Sequence, residues 1–162
     1  AFALDAAAAK LGRPLVADDV EPLTWALAEE GRKRSASEYL ATVDAIHSFS
    51  RRIATWWASG WDLLLTPTTG APPPRLGELR SSPTEPFRGF TRGAPFALFT
   101  PFFNMTGQPA ISVPVHWTGE GLPIGVQLVA PYGGEDLLLR VAAELELALP
   151  WQDRRPALFA GS

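Results

Sequence analysis

Two apolar runs, AISVPV (Ala110–Val115) and PIGVQLVA (Pro123–Ala130), are joined through the turn-forming TGEG of Thr118–Gly121. Short runs rich in β-branched residues, separated by a glycine-bearing turn, read as adjacent strands. Such a pair needs helices packed on it, and the flanking sequence supplies them. Downstream, GGEDLLLRVAAELELAL carries acids in its first turn and sets Leu138, Val141, Ala142 and Leu145 on one face, an amphipathic helix ending at Pro150. Just upstream, TPFFNMTG reads as a short helix with Thr100 as N-cap, Pro101 at the first helical position and Gly107 closing it.

The remaining chain extends this pattern. Asp18 and Asp19 precede VEPLTWALAEEGR, with Gly31 as its stop. Ser35 and Glu38 have the spacing of a capping box. From there Leu40, Val43, Ile46, Ile53 and Trp57 recur at helical spacing as far as Gly60. DLLL (Asp62–Leu65), closed by Thr66-Pro67, predicts a buried strand in a parallel or mixed sheet. Residues 70–95 hold six prolines and form an irregular excursion. The expectation is one α/β domain over residues 1–162, with helices packed on a mixed β-sheet. Within it, residues 1–60 are helical, 61–69 are strand and loop, 70–95 are the Pro-rich loop, and 96–150 hold a helix, two strands and the final helix.

Composition narrows the functional classes. With 46% hydrophobic and 19% charged residues over 162 positions, the chain can bury a core. A net charge of −3, with Lys10 and Lys33 as the only lysines, argues against a nucleic-acid surface. No cysteine is present, which excludes disulfides, a thiol nucleophile and a cysteine zinc site, and fits a reducing, cytoplasmic location. No apolar run approaches the ~20 residues that span a bilayer, so no membrane partner is expected. AFALDAAAAK lacks an initiator Met and the charge pattern of a signal peptide, and reads as the middle of a longer chain.

No residue stands out as catalytic. His47 and His116 are the only histidines, and neither belongs to a metal-ligating spacing, so no metal or cofactor is expected. Glu135 and Asp136 already occupy the positive end of the last helix, leaving no anion site there. Ser81-Ser82 has no base nearby in sequence, and a serine nucleophile needs one.

The segments DLLLTPTTGAPPP, FTPFFNMTGQPAISVPV and GLPIGVQLVAPYGGEDLLLRVAAELE, in this order and spacing, resemble the C-terminal end of the amidase signature family. EPLTWALAEEGR and SRRIATWWASGWDLLLTPT resemble the helices before it, so the likeness covers residues 5 to 150. It implies amide hydrolysis by a serine nucleophile, a second serine in a cis peptide and a lysine, all upstream of the matching region. None of the three maps onto a residue of this chain, which is therefore expected to be inactive alone. It implies instead that this portion completes a sheet and walls a pocket for a small-molecule amide.

By the same resemblance, the substrate-contacting positions are Thr68, in the loop after DLLL, and Phe99, Thr100 and Phe103 in the aromatic segment. For both phenylalanines, core packing stands as the equal alternative. Asn104 is expected to be structural, bonding the turn at Thr106-Gly107. Amidotransferase subunits of the family carry an acid where this chain has Ala97, so an uncharged aryl or alkyl amide fits better than an amino-acid amide. A homo-oligomer is a further expectation. The alternatives are a subunit of a glutamine-dependent amidotransferase and a non-catalytic binding module.

Overall fold

The computed structural model describes residues 1–156 and 158–160. Its elements run α1 (Phe2–Leu11), α2 (Pro22–Arg32), α3 (Ala36–Ala58), β1 (Leu64–Pro67), α4 (Arg88–Gly93), α5 (Thr100–Thr106), β2 (Ala110–Trp117), β3 (Pro123–Val129) and α6 (Glu135–Ala148). Helices pack on a sheet, the α/β class that the sequence indicates. The chain forms two compact units, Ala1–Ala45 with Pro73–Phe96, and Ile46–Pro72 with Ala97–Ser162. Among the described residues no helix is long and apolar enough to cross a membrane.

In the first unit, Arg32 near the end of α2 bonds Glu29 at 2.6 Å and reaches Asp5 of α1 at 2.8 Å. Helix α2 runs through Gly31 to Arg32, past the expected stop, because glycine in a last turn costs little when its carbonyl still accepts the Arg34 N–H at 3.2 Å. The capping box forms as expected: the Glu38 N–H meets Ser35 Oγ at 3.2 Å and the Ser35 N–H meets the Glu38 carboxylate at 2.7 Å. The Pro-rich stretch is irregular up to Phe87 but then turns into α4. Gly89 lies in its first turn, where a Cβ would come within 2.3 Å of the carbonyl oxygen of Leu79.

The second unit is built on a three-stranded sheet in the order β1-β3-β2, antiparallel throughout. Of the two expectations for the DLLL segment, a parallel or a mixed sheet, its antiparallel pairing with β3 removes the parallel one. The strand also begins two residues later, at Leu64, and includes Thr66 and Pro67. It is only half-buried, with Leu65 exposed, because it is an edge strand with one face toward the core. Pro67 and Pro114 both sit on edge strands, where a missing N–H leaves no ladder bond broken. His116, expected after the strand, lies within β2 at the irregularity between Pro114 and His116.

Two apolar clusters hold this unit together. On one face of the sheet Val113, Leu128 and Ala130 bury Leu138 of α6, with Val141, Ala142 and Leu145 packed alongside as their spacing requires. On the other, Trp57 of α3 and Phe103 of α5 cover Val129. Helix α5 starts one residue before the expected position, with Phe99 as N-cap and Thr100 already helical, and it ends at Gly107 with φ of 80°.

The first unit carries a testable pH dependence. The Ser35 N–H and then its hydroxyl hold the Glu38 carboxyl below its ordinary range, and Asp19 is held lower still, chiefly by the Arg13 guanidinium. A carboxyl depressed by folding stabilises fully above its unfolded pKa, near 4, and loses that contribution as pH falls through the folded value. Both groups are solvent-exposed, so the effect is modest. Thermal melts should hold Tm from neutral pH to about pH 5 and show it falling below about pH 4, less steeply for Glu38→Gln. An acid limb of unchanged slope in Glu38→Gln would remove the capping carboxylate from this account.

Candidate functional site

Side chains alternate along β3, so Val129, Gln127 and Gly125 share the face opposite α6. The register places Leu64 and Ala110 beside Val129, and Thr66 and Ser112 beside Gln127. This face changes character along its length. At the Val129 end it is aromatic. Trp57 and Phe103 lie on it, and Trp56 meets Trp57 edge-on at 4.6 Å while stacking on Trp61 at 5.7 Å.

Toward Gly125 the face becomes polar. The Gln127 amide donates to the Thr66 hydroxyl at 3.0 Å. The hydroxyls of Thr68 and Ser112 lie 2.7 Å apart, and either can be the donor. They belong to opposite sides of β3 and meet over Gly125. A Cβ on Gly125 would lie 2.7 Å from Ser112 Oγ and 2.9 Å from Thr68 Oγ1. The Thr68 N–H donates to the Gly125 carbonyl at 3.1 Å, which anchors the threonine just past the end of β1.

Of the four residues singled out by sequence, Thr68 is half-buried at this polar end. Phe99 and Thr100 are half-buried at the start of α5, and Phe103 is buried one turn on, against Trp57 and Val129. Thr68 and Phe103 thus share one face of the sheet. The packing of Phe103 on Trp57 and Val129 is compatible with both roles expected of it, core residue and pocket wall. Ser112 and Gly125 were not singled out, although a glycine inside a strand is itself a signal of close approach.

Asn104 does not hold the turn after α5; its side chain is exposed. The buried Thr106 takes that role. Its hydroxyl lies 3.0 Å from the Phe102 carbonyl, to which it donates, and within hydrogen-bond reach of the Gln108 side-chain amide, and its own carbonyl accepts from the Tyr132 hydroxyl.

What this face can do chemically follows from its groups. Paired hydroxyls, an amide and an aromatic wall have the chemistry to bind a neutral polar group beside an apolar one. His47 and His116 are both exposed, on α3 and β2. Among the described residues no group of three or more His, Asp or Glu converges as metal ligands. Two grooves of this unit, of about 680 and 530 Å³, lie elsewhere: Trp117 and Arg154 line both, the guanidinium 4.1 Å over the indole.

Residues 8–139 match the sequence profile of the family described as Amidase. The chain is 44% identical over 154 residues to a 6-aminohexanoate-cyclic-dimer hydrolase of Paenarthrobacter ureafaciens, covering 92% of this chain and 31% of that one. A hydrolase of the same description from Pseudomonas sp. (strain NK87) is 42% identical with the same coverage. The solved structure of a 6-aminohexanoate cyclic dimer hydrolase superposes with a TM-score of 0.87 at 40% identity, over 95% of this chain and 33% of that one. A glutamyl-tRNA(Gln) amidotransferase subunit from Thermotoga maritima, at 24% identity and a TM-score of 0.55, shares the fold over 79% of this chain and 25% of its own. The chain thus spans about a third of the length of the curated hydrolases it matches.

The packing of Phe103 sets an expected outcome. Phe103→Ala leaves a cavity between Trp57 and Val129 and should lower stability by about 3–5 kcal/mol in urea denaturation. A loss below about 1 kcal/mol would mean that the site relaxes to fill the space and that Phe103 is not a core residue.

Proposed function

The chain belongs to the amidase family, and from that premise we propose that it forms the C-terminal portion of an amide hydrolase. The nucleophilic serine, the cis serine and the lysine come from the rest of that enzyme. This portion completes the sheet and walls the substrate pocket with Thr68, Phe99, Thr100 and Phe103. The observation that carries the proposal is the superposition of 95% of the chain on a cyclic-amide hydrolase with a TM-score of 0.87.

We read the substrate as an uncharged amide. A cyclic dimer of an amino acid has no free termini and therefore no charge. The face described above offers hydroxyls, an amide and aromatic rings, and by the family resemblance Ala97 falls where amidotransferase subunits carry an acid. A zwitterionic amino-acid amide would lose hydration there without gaining an ionic partner. The cytoplasmic placement belongs to the same proposal, supported by a cysteine-free composition.

The test compares the isolated 162-residue chain with the intact enzyme. The isolated chain, without nucleophile or base, should show no hydrolysis of aryl or short fatty amides above buffer. The intact enzyme should hydrolyse neutral alkyl or cyclic amides with a kcat/KM at least about tenfold above that for glutamine. Turnover by the isolated chain that resists serine-directed inhibitors, or a preference for glutamine, would overturn the reading.

A further inference from the structure

The hydroxyl pair over Gly125 is more specific than a polar surface needs to be. Adjacent strands lie ~4.8 Å apart, so β1 and β2 are separated by about 9–10 Å across β3. Side chains as short as serine and threonine meet across that gap only where the middle strand presents no Cβ. Gly125 meets that requirement, since a Cβ would approach both hydroxyl oxygens within 2.9 Å. Two residues along, Gln127 fills the same gap with its own side chain and bonds Thr66 instead.

We propose that Ser112 is a positioning residue that fixes the Thr68 hydroxyl for recognition of a neutral amide group of the substrate. The inference rests on the placement of Thr68 in the pocket under the proposed function. A hydroxyl has one proton to donate and lone pairs to accept. When Ser112 donates, the Thr68 proton is free to meet a substrate carbonyl. When Thr68 donates, its lone pairs are free to meet a substrate N–H. The 2.7 Å pair supports either direction, and an amide carries both groups. The pair bears no charge, so a substrate carboxylate would give up hydration for two neutral partners, a poor exchange.

The experiment uses the intact enzyme and a neutral alkyl amide, comparing Thr68→Ala, Ser112→Ala, the double variant and Ser112→Thr. Removing Ser112's hydroxyl should raise KM about three- to tenfold, the fold-change of one neutral hydrogen bond, with kcat and Tm little changed. The double variant should be no worse than Thr68→Ala alone, because Ser112 acts through Thr68. Ser112→Thr, which restores a hydroxyl, should keep KM within about twofold of the parent. A purely structural role would instead lower Tm and leave KM unmoved.

An unchanged KM in Ser112→Ala, beside a raised KM in Thr68→Ala, overturns the inference. So does a double variant whose KM is the product of the two single effects. Should Thr68→Ala leave KM unchanged, Thr68 leaves the pocket and the inference falls with it, while continued amide hydrolysis leaves the amidase reading standing. Should Ser112→Ala fail to fold, Ser112→Cys, close in size but a weaker donor, carries the same expected rise in KM.

Discussion

Strand β3 is hydrogen-bonded along both edges while its C-terminal half is covered on both faces, and the second unit depends on that arrangement. Val129 and Ala130 are fully buried, and Leu128 nearly so. Leu128 and Ala130 lie in the cluster with α6, and Val129 lies under Trp57 and Phe103. A run buried on both sides cannot also carry the polar face of a site. Polarity begins at Gln127, whose side chain is buried and satisfied by donating to the Thr66 hydroxyl.

Much of this was legible. The capping box at Ser35 and Glu38, the hairpin through TGEG and the apolar face of α6 are local patterns whose physics is complete within about ten residues. What failed needed partners from far along the chain. DLLL gave no sign that its partner would be antiparallel, because an apolar run of three leucines lacks the alternation that separates a half-buried edge from a buried centre. The better evidence lay just after it: Pro67 marks an edge, and so does Pro114 in the other outer strand.

The site divides in the same way. Thr68, Phe99, Thr100 and Phe103 were reached through a resemblance, and no pattern in the residues themselves would have singled them out. Asn104 drew attention because an asparagine before a glycine turn often bonds locally. The fold uses Thr106 there instead, since Tyr132, 26 residues on, supplies a donor that no local reading can see. Ser112 was hidden for the same reason, its partner Thr68 being 44 residues away. Gly125 was the one local clue. A strand interior disfavours glycine unless something must pass close by.

What passes close by decides the kind of chemistry the face supports. A hydroxyl becomes a nucleophile when a neighbouring base takes its proton as it attacks. Thr68 and Ser112 are neighbours at 2.7 Å, but each is as poor a base as the other, so a proton handed between them gains nothing. The histidines, exposed on α3 and β2, are not hydrogen-bonded to either hydroxyl among the described residues. The same neutrality that disqualifies the pair from attack suits it to recognition. Two uncharged groups, held in register by a glycine and a backbone bond, can reverse their donor direction without any proton leaving the pair. An amide presents both an acceptor and a donor, and a surface that can answer either one is matched to it. Under the proposed function, the chain would discriminate among amides, and the bond would be cut by groups held elsewhere in the enzyme.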